Sequence, residues 1–141
     1  MSGLNAFFAQ NVKKIENKSV IPSDRFTDED GKPVPFQVCC ITPKENKDLK
    51  KSCTRTVAVP GKKGQYTQEF DAFEYGVKIA VRCTVFPNLN DTELQNSWGV
   101  MGAHDLIQTM LSPGEFDNYV AAILEHNGFK DDGELVDEAK N

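Results

Sequence analysis

The sequence is poor in the side chains that most often carry chemistry. Of its 141 residues only two are histidine, His104 and His126, and only one is tryptophan, Trp98. Neither histidine stands in a nucleophile or metal motif: H-E-x-x-H and G-x-S-x-G are missing, as are the glycine signatures of dinucleotide and phosphate loops. Acids are plentiful, but no pair is set apart by an apolar context that would split their pKa values. No enzyme is expected on these grounds, and no cofactor or metal. The four cysteines contain no C-x-x-C pair. Cys39 and Cys40 are neighbours in an extended segment, so they point to opposite faces. All four, with Cys53 and Cys83, are read as small buried hydrophobes in a reducing cytoplasm. Long apolar runs are lacking too. Nothing reaches the ~18–20 residues of a membrane span, and residues 1–10 lack the basic start of a secretion signal. Positive charge is outweighed: Lys and Arg total 16 against 21 Asp and Glu, a net charge of −5. A general nucleic-acid coat is therefore not expected.

What is present describes a single α+β domain. Hydrophobic residues make up 39% and charged residues 26%, and the length falls within the usual ~100–150 residues of one domain. Residues 4–16 place Leu4, Phe7, Phe8, Val12 and Ile15 on one stripe of an amphipathic helix. That stripe either docks on its own domain or waits for a partner. Residues 20–26 and 34–41 form a β-hairpin around an Asp30-Gly31 turn, with Val34, Phe36, Val38 and Cys40 on one face. Pro22 and Pro35 make its arms edge-like or irregular. A second hairpin pairs residues 55–59 with 65–70 across Pro60-Gly61-Lys62-Lys63-Gly64.

Four helices share one start signal, a cap residue followed three positions later by glutamate. The pairs are Thr42 with Glu45, Asp71 with Glu74, Asn90 with Glu93, and Ser112 with Glu115. Residues 71–86 carry two patterns. Val77, Ile79, Val81, Cys83 and Val85 alternate like a strand, whereas Glu74, Lys78 and Arg82 recur every four residues like a helix. The helix is preferred, stapled by Phe70 and Tyr75 around Asp71 and ended by Pro87. It is apolar enough to be the central helix. Helices at 90–98, 102–111 and 113–126 follow. The 102–111 helix turns Leu106, Ile107, Met110 and Leu111 inward; the last carries Phe116, Tyr119, Val120, Ile123 and Leu124, and Asn127-Gly128-Phe129 closes it. The expected fold is thus two short β-hairpins followed by, or packed on, a bundle of four to five α-helices. Residues 1–18 form an N-terminal amphipathic segment, 19–130 the domain, and 131–141 an acidic tail.

Charge is segregated along the chain. Residues 44–63 hold Lys44, Lys47, Lys50, Lys51, Arg55, Lys62 and Lys63 against Glu45 and Asp48, while eight acids from Glu115 onward face only Lys130 and Lys140. Two readings stand: separately solvated faces, or a dipolar surface that steers a charged protein partner or stacks copies head to tail. Aromatic residues are scarce in the basic stretch, which speaks against nucleic-acid binding.

From Leu89 to Phe116 the chain reads LNDTELQNSWGVMGAHDLIQTMLSPGEF. This run resembles the signature of the XkdN-like tail assembly chaperones of phages and prophages. An E-L-Q helix, an aromatic-Gly turn, a V-M-G-A segment and an M-L-x-P-G-E-[YF] stretch follow in that order. Asp24-Arg25-Phe26, the Asp28–Pro33 turn, Lys51-Ser52-Cys53-Thr54-Arg55 and the closing Glu138-Ala139-Lys140-Asn141 are also similar to the family. Trp98 departs from the pattern, where tyrosine is expected. The resemblance implies a non-catalytic chaperone, made in the cytoplasm of the bacterial host and absent from the mature virion. It implies binding to the tape measure protein, which is kept soluble, and recruitment of tail tube subunits. In many such genes a frameshift near the end yields a longer product, and the acidic tail would then be the junction. The alternative is a tube or connector subunit of the virion. Leu4, Phe7, Phe8 and Val12 are the expected partner contacts. Neither nucleic acid nor membrane is expected as a partner.

Overall fold

The computed structural model describes residues 3–129. After a single 3-10 turn at Asn5–Phe7, the chain runs β1 (Lys18–Val20), β2 (Phe36–Val38), α1 (Pro43–Ser52), β3 (Thr54–Ala58), β4 (Tyr66–Phe70), α2 (Ala72–Cys83), β5 (Thr84–Phe86), α3 (Thr92–Ser97), α4 (Ala103–Met110) and α5 (Pro113–His126). The class is α+β, as the sequence implies. β3 and β4 make the second hairpin, in register from Thr54 opposite Phe70 to Ala58 opposite Tyr66.

The first hairpin is smaller than expected and has a third strand: its first strand, Lys18–Val20, shares only Val20 with the expected arm 20–26, and its second is Phe36–Val38 within 34–41. β1 and β2 pair antiparallel with Val20 opposite Phe36. Pro22 and Pro35 fall just outside the paired residues, because proline has no N–H for the ladder. A tight turn of its own sits inside the connection, where Thr27 bridges Pro33 and the Asp28 carboxylate accepts from the Asp30 and Lys32 amides. On the other side of β2 lies β5, giving the order β1-β2-β5 with an irregular register around Val85. The helix expected over 71–86 therefore stops at Cys83, and the last three residues before Pro87 are strand. Both sequence patterns were real: the four-residue repeat belongs to α2, and the alternation reaches its strand only at the end.

α2 is the centre of the molecule. Tyr75, Gly76, Val77, Ile79, Ala80 and Cys83 are buried, packed against Leu106, Ile107 and Met110 of α4 and Phe116, Tyr119, Ile123 and Leu124 of α5. Phe36 and Val38 close the core from the sheet, Phe36 edge-on to Tyr119 at 5.4 Å. At ~25 cal/mol per Å² of apolar surface removed from water, this packing is the main stabilising term. The polar stripe of α2 ties it to its neighbours. Glu74 reaches His104 of α4 at 2.5 Å, Lys78 Nζ donates to Ser52 Oγ of α1 at 2.9 Å, and Arg82 pairs with Glu45 of α1 at 2.6 Å. Phe70 and Tyr75 stand 5.8 Å apart on either side of the Asp71 cap, as the staple requires.

The helix starts are as expected at Thr42, Asp71 and Ser112, whose side chains accept the amides of Glu45, Glu74 and Glu115. The full reciprocal box forms at Ser112, while Glu45 and Glu74 pair with Arg82 and His104. For α3 the cap is one residue later than expected: Asp91 accepts from Leu94. Asn88 holds the residue before it by accepting from the Asn90 amide, so Asn90 is part of the turn. α5 ends in a Schellman motif. Phe129 N–H bonds Leu124 carbonyl at 3.0 Å, Gly128 N–H bonds Glu125 carbonyl, and Gly128 takes φ +100°.

Candidate partner-binding surface

The N-terminal stripe does not form a helix. Past the 3-10 turn, Asn11 folds back: its amide bonds the Phe8 carbonyl at 2.9 Å and its side chain bonds the Asn5 carbonyl at 2.8 Å. In an α-helix that Asn5 carbonyl would accept from residue 9, so the asparagine side chain competes with the helix. A helix of thirteen residues is marginal in water unless its apolar face is covered. Here the apolar face is open. Leu4, Phe7, Phe8 and Val12 are 46–78% exposed, and Ile15 is exposed as well. The segment is moored just after the stripe, where the His126 ring on α5 meets the Glu16 carbonyl at 3.1 Å. From there β1 leads into the sheet.

Further exposed apolar residues lie outside the stripe and were not singled out by periodicity. Met101, 89% exposed, is held on the turn between α3 and α4. Gln95 builds that turn, donating to the Leu89 carbonyl at 2.9 Å and accepting from the Gly102 amide at 3.0 Å. The available signal was the pair of glycines around it, Gly99 and Gly102, both at positive φ. Phe73 is half exposed on α2, 5.6 Å from Phe116. With Leu111 and Pro113 the two rings line a shallow depression of about 240 Å³.

Other residues considered for chemistry serve the fold. Glu115 caps α5 and also binds Arg25, whose guanidinium lies 2.6 Å from it and donates to the Met110 carbonyl at 2.8 Å. The Arg25 bond, with the Ser112 amide, lowers the Glu115 carboxyl to about 2. Trp98 is half-buried at the end of α3, edge-on to Phe26 at 6.3 Å. Cys53 and Cys83 are buried, and Cys39 and Cys40 partly so, all as free thiols. Burial pushes the Cys83 thiol up to about 12, so it stays protonated and behaves as a small hydrophobe. Among the described residues no cluster of three or more His, Cys, Asp or Glu is arranged to hold a metal. None of their helices is long and apolar enough to cross a membrane.

These placements bring distant sequence segments together. Arg25 of the Asp24-Arg25-Phe26 segment meets Glu115, Ser52 of the Lys51–Arg55 segment meets Lys78, and the E-L-Q glutamine closes the V-M-G-A turn. The segments that resemble the tail chaperones are therefore parts of one packing arrangement. The family profile of the phage XkdN-like tail assembly chaperone protein matches residues 4–140. The chain belongs to this family. As an XkdN-like tail assembly chaperone it has a role in building phage tails. It is 33% identical over 137 residues to the uncharacterised protein YqbN of Bacillus subtilis strain 168, covering 96% of this chain and 91% of that one. It is 30% identical over 140 residues to XkdN of the phage-like element PBSX in the same organism, covering 98% and 93%. The crystal structure of YqbN has the same fold, with a TM-score of 0.74 at 27% identity, spanning 92% of this chain and 99% of that chain.

Proposed function

We propose that this chaperone acts in the host cytoplasm, without catalysis, by binding the tape measure protein through its N-terminal apolar segment. Residues 1–18 are the contact arm, 19–130 the domain that carries it, and 131–141 an acidic tail. The observation that carries this reading is the exposure of Leu4, Phe7, Phe8 and Val12 in one short segment moored at Glu16. A tape measure protein is long, helical and apolar along its faces, and unshielded it would aggregate. An exposed apolar segment on an acidic domain can cover such a face while keeping the complex soluble. Bound to the tape, the chaperone then recruits tail tube subunits around it and leaves before the particle is complete.

Co-expression with the longest neighbouring tail protein tests this. The expected outcome is that the long protein moves into the soluble fraction and co-purifies with the chaperone. A long protein equally insoluble with and without it defeats the reading. Mass spectrometry of purified particles is expected to find no copies of this chain. Stoichiometric copies would instead make it a tube or connector subunit.

A further inference from the structure

The basic side of the molecule is a groove. Asn46, Lys47, Lys50 and Lys51 of α1 form one wall, Thr54 and Gln68 of the β3-β4 hairpin the other, with Pro43 at the end, around a space of about 580 Å³. None of its lining residues is acidic. Of the two acids on α1, Glu45 is held by Arg82 and Asp48 is not among the residues that line the groove. Among the described residues, the ion pairs do not engage Lys44, Lys47 or Lys51. Pro43 and Asn46 also line a second, smaller hollow of about 260 Å³ together with Ile41, Ile79, Asn127 and Phe129. Phe129 is the last described residue, and its backbone is held by the Schellman bond to Leu124. The last described residue thus borders a hollow that shares Pro43 and Asn46 with the basic groove. Twelve residues follow, among them Asp131, Asp132, Glu134, Asp137 and Glu138 around Leu135 and Val136.

The geometry points to residues 130–141 of the same molecule as the occupant of this groove. The carboxylates pair with Lys47, Lys50 and Lys51, and Leu135 and Val136 rest on Pro43 and the lysine stems. Twelve residues extend up to about 40 Å, ample for a helix of ten residues that is about 15 Å long. Attachment beside the groove gives the segment a high effective concentration, so modest contacts suffice. Acidic partners reach this surface only by displacing the chain's own tail. The inference is independent of which protein the N-terminal arm binds.

Amide NMR spectra of the full chain test it. The comparison is with a full-length variant carrying Asp131→Asn, Asp132→Asn, Glu134→Gln, Asp137→Asn and Glu138→Gln. Shift changes are expected beyond the substituted segment at Lys47, Lys50, Lys51, Thr54 and Gln68, independent of protein concentration. In the unsubstituted chain about 0.5 M salt should move the same amides in the same direction. A Lys47→Glu, Lys51→Glu variant should move the tail amides toward their neutralised positions. Absence of shifts along the groove, or shifts centred elsewhere, overturns the proposal. Shifts that fade on dilution overturn it as well, because the occupant would then be the tail of another copy.

Discussion

Two glycines separate what a single residue does in this chain. Gly76 lies within α2, where a Cβ would meet Val120 at 3.7 Å and Phe116 at 3.9 Å, ordinary contact distances. Glycine in a helix interior costs about 1 kcal/mol against alanine. Gly76→Ala should therefore raise unfolding stability by about 0.5–1 kcal/mol, read from the denaturant midpoint. Gly102 has open space around it but sits at φ +93° and ψ 151°, a conformation that side chains avoid. Gly102→Ala should lose about 1–3 kcal/mol. A reversal of either sign would mean that Gly76 does not lie in a helix interior or that Gly102 does not hold a positive φ. Arg25 and Glu115 carry a different signature, in pH. The Glu115 carboxyl is lowered from 4.5 to about 2 in the folded state. A lowered carboxyl stabilises the fold above its unfolded value, and that contribution fades as pH falls from about 4.5 toward about 2. An Arg25→Met chain should be less stable at neutral pH, and its deficit should shrink across that acid window. Parallel pH profiles would detach Glu115 from Arg25. The Ser112-Glu115 box was legible in sequence because both partners lie within one turn of helix. Arg25 was not, since it stands 90 positions away and no local spacing announces it.

Elements differ in how strongly the core holds them. α2 is apolar on most sides and touches α1, α4, α5 and β5, so its stability is that of the whole molecule. Ile79 is fully buried there, and Ile79→Ala should cost about 2–5 kcal/mol. The β3-β4 hairpin is exposed along nearly its full length, with Phe70 half-buried at the base. Native-state hydrogen exchange should accordingly find its amides opening at much lower free energy than those of α2, as a separate unit. Equal protection in the two would mean that the hairpin is held by something its side chains do not reveal. The same contrast explains what could be read from the chain alone. α4, α5 and the start of α2 have caps and periodic apolar faces that agree, and each was found nearly to the residue. The end of α2 was not, because Thr84, Val85 and Phe86 owe their strand to pairing with β2, whose residues Val38 and Gln37 stand opposite Thr84 and Phe86 from far earlier in the chain. The N-terminal helix failed for the opposite reason: its pattern was periodic, but its apolar residues stay largely exposed among the described residues and Asn11 takes the carbonyl that a helix would use.

At the scale of the whole molecule, the family's shared segments and the exposed segment occupy different places. Arg25, Ser52, Gln95 and Glu115 hold the core elements together, so the signature that places the chain among the tail assembly chaperones is mainly a signature of packing. The residues proposed to meet the client lie in the N-terminal stripe, outside that packing. This separation makes the arm testable apart from the fold. Phe7 and Phe8 are exposed and precede the first strand by ten residues or so. Phe7 is 78% and Phe8 46% exposed, so replacing both with serine should cost no more than about 1 kcal/mol. The double variant should thus melt close to the unaltered protein while losing the ability to solubilise and retain the tape measure protein on co-expression. A variant that melts well below the parent yet still holds the tape would place these rings in the domain's own stability. The client surface would then have to be sought among the other exposed apolar residues, such as Met101 and Phe73.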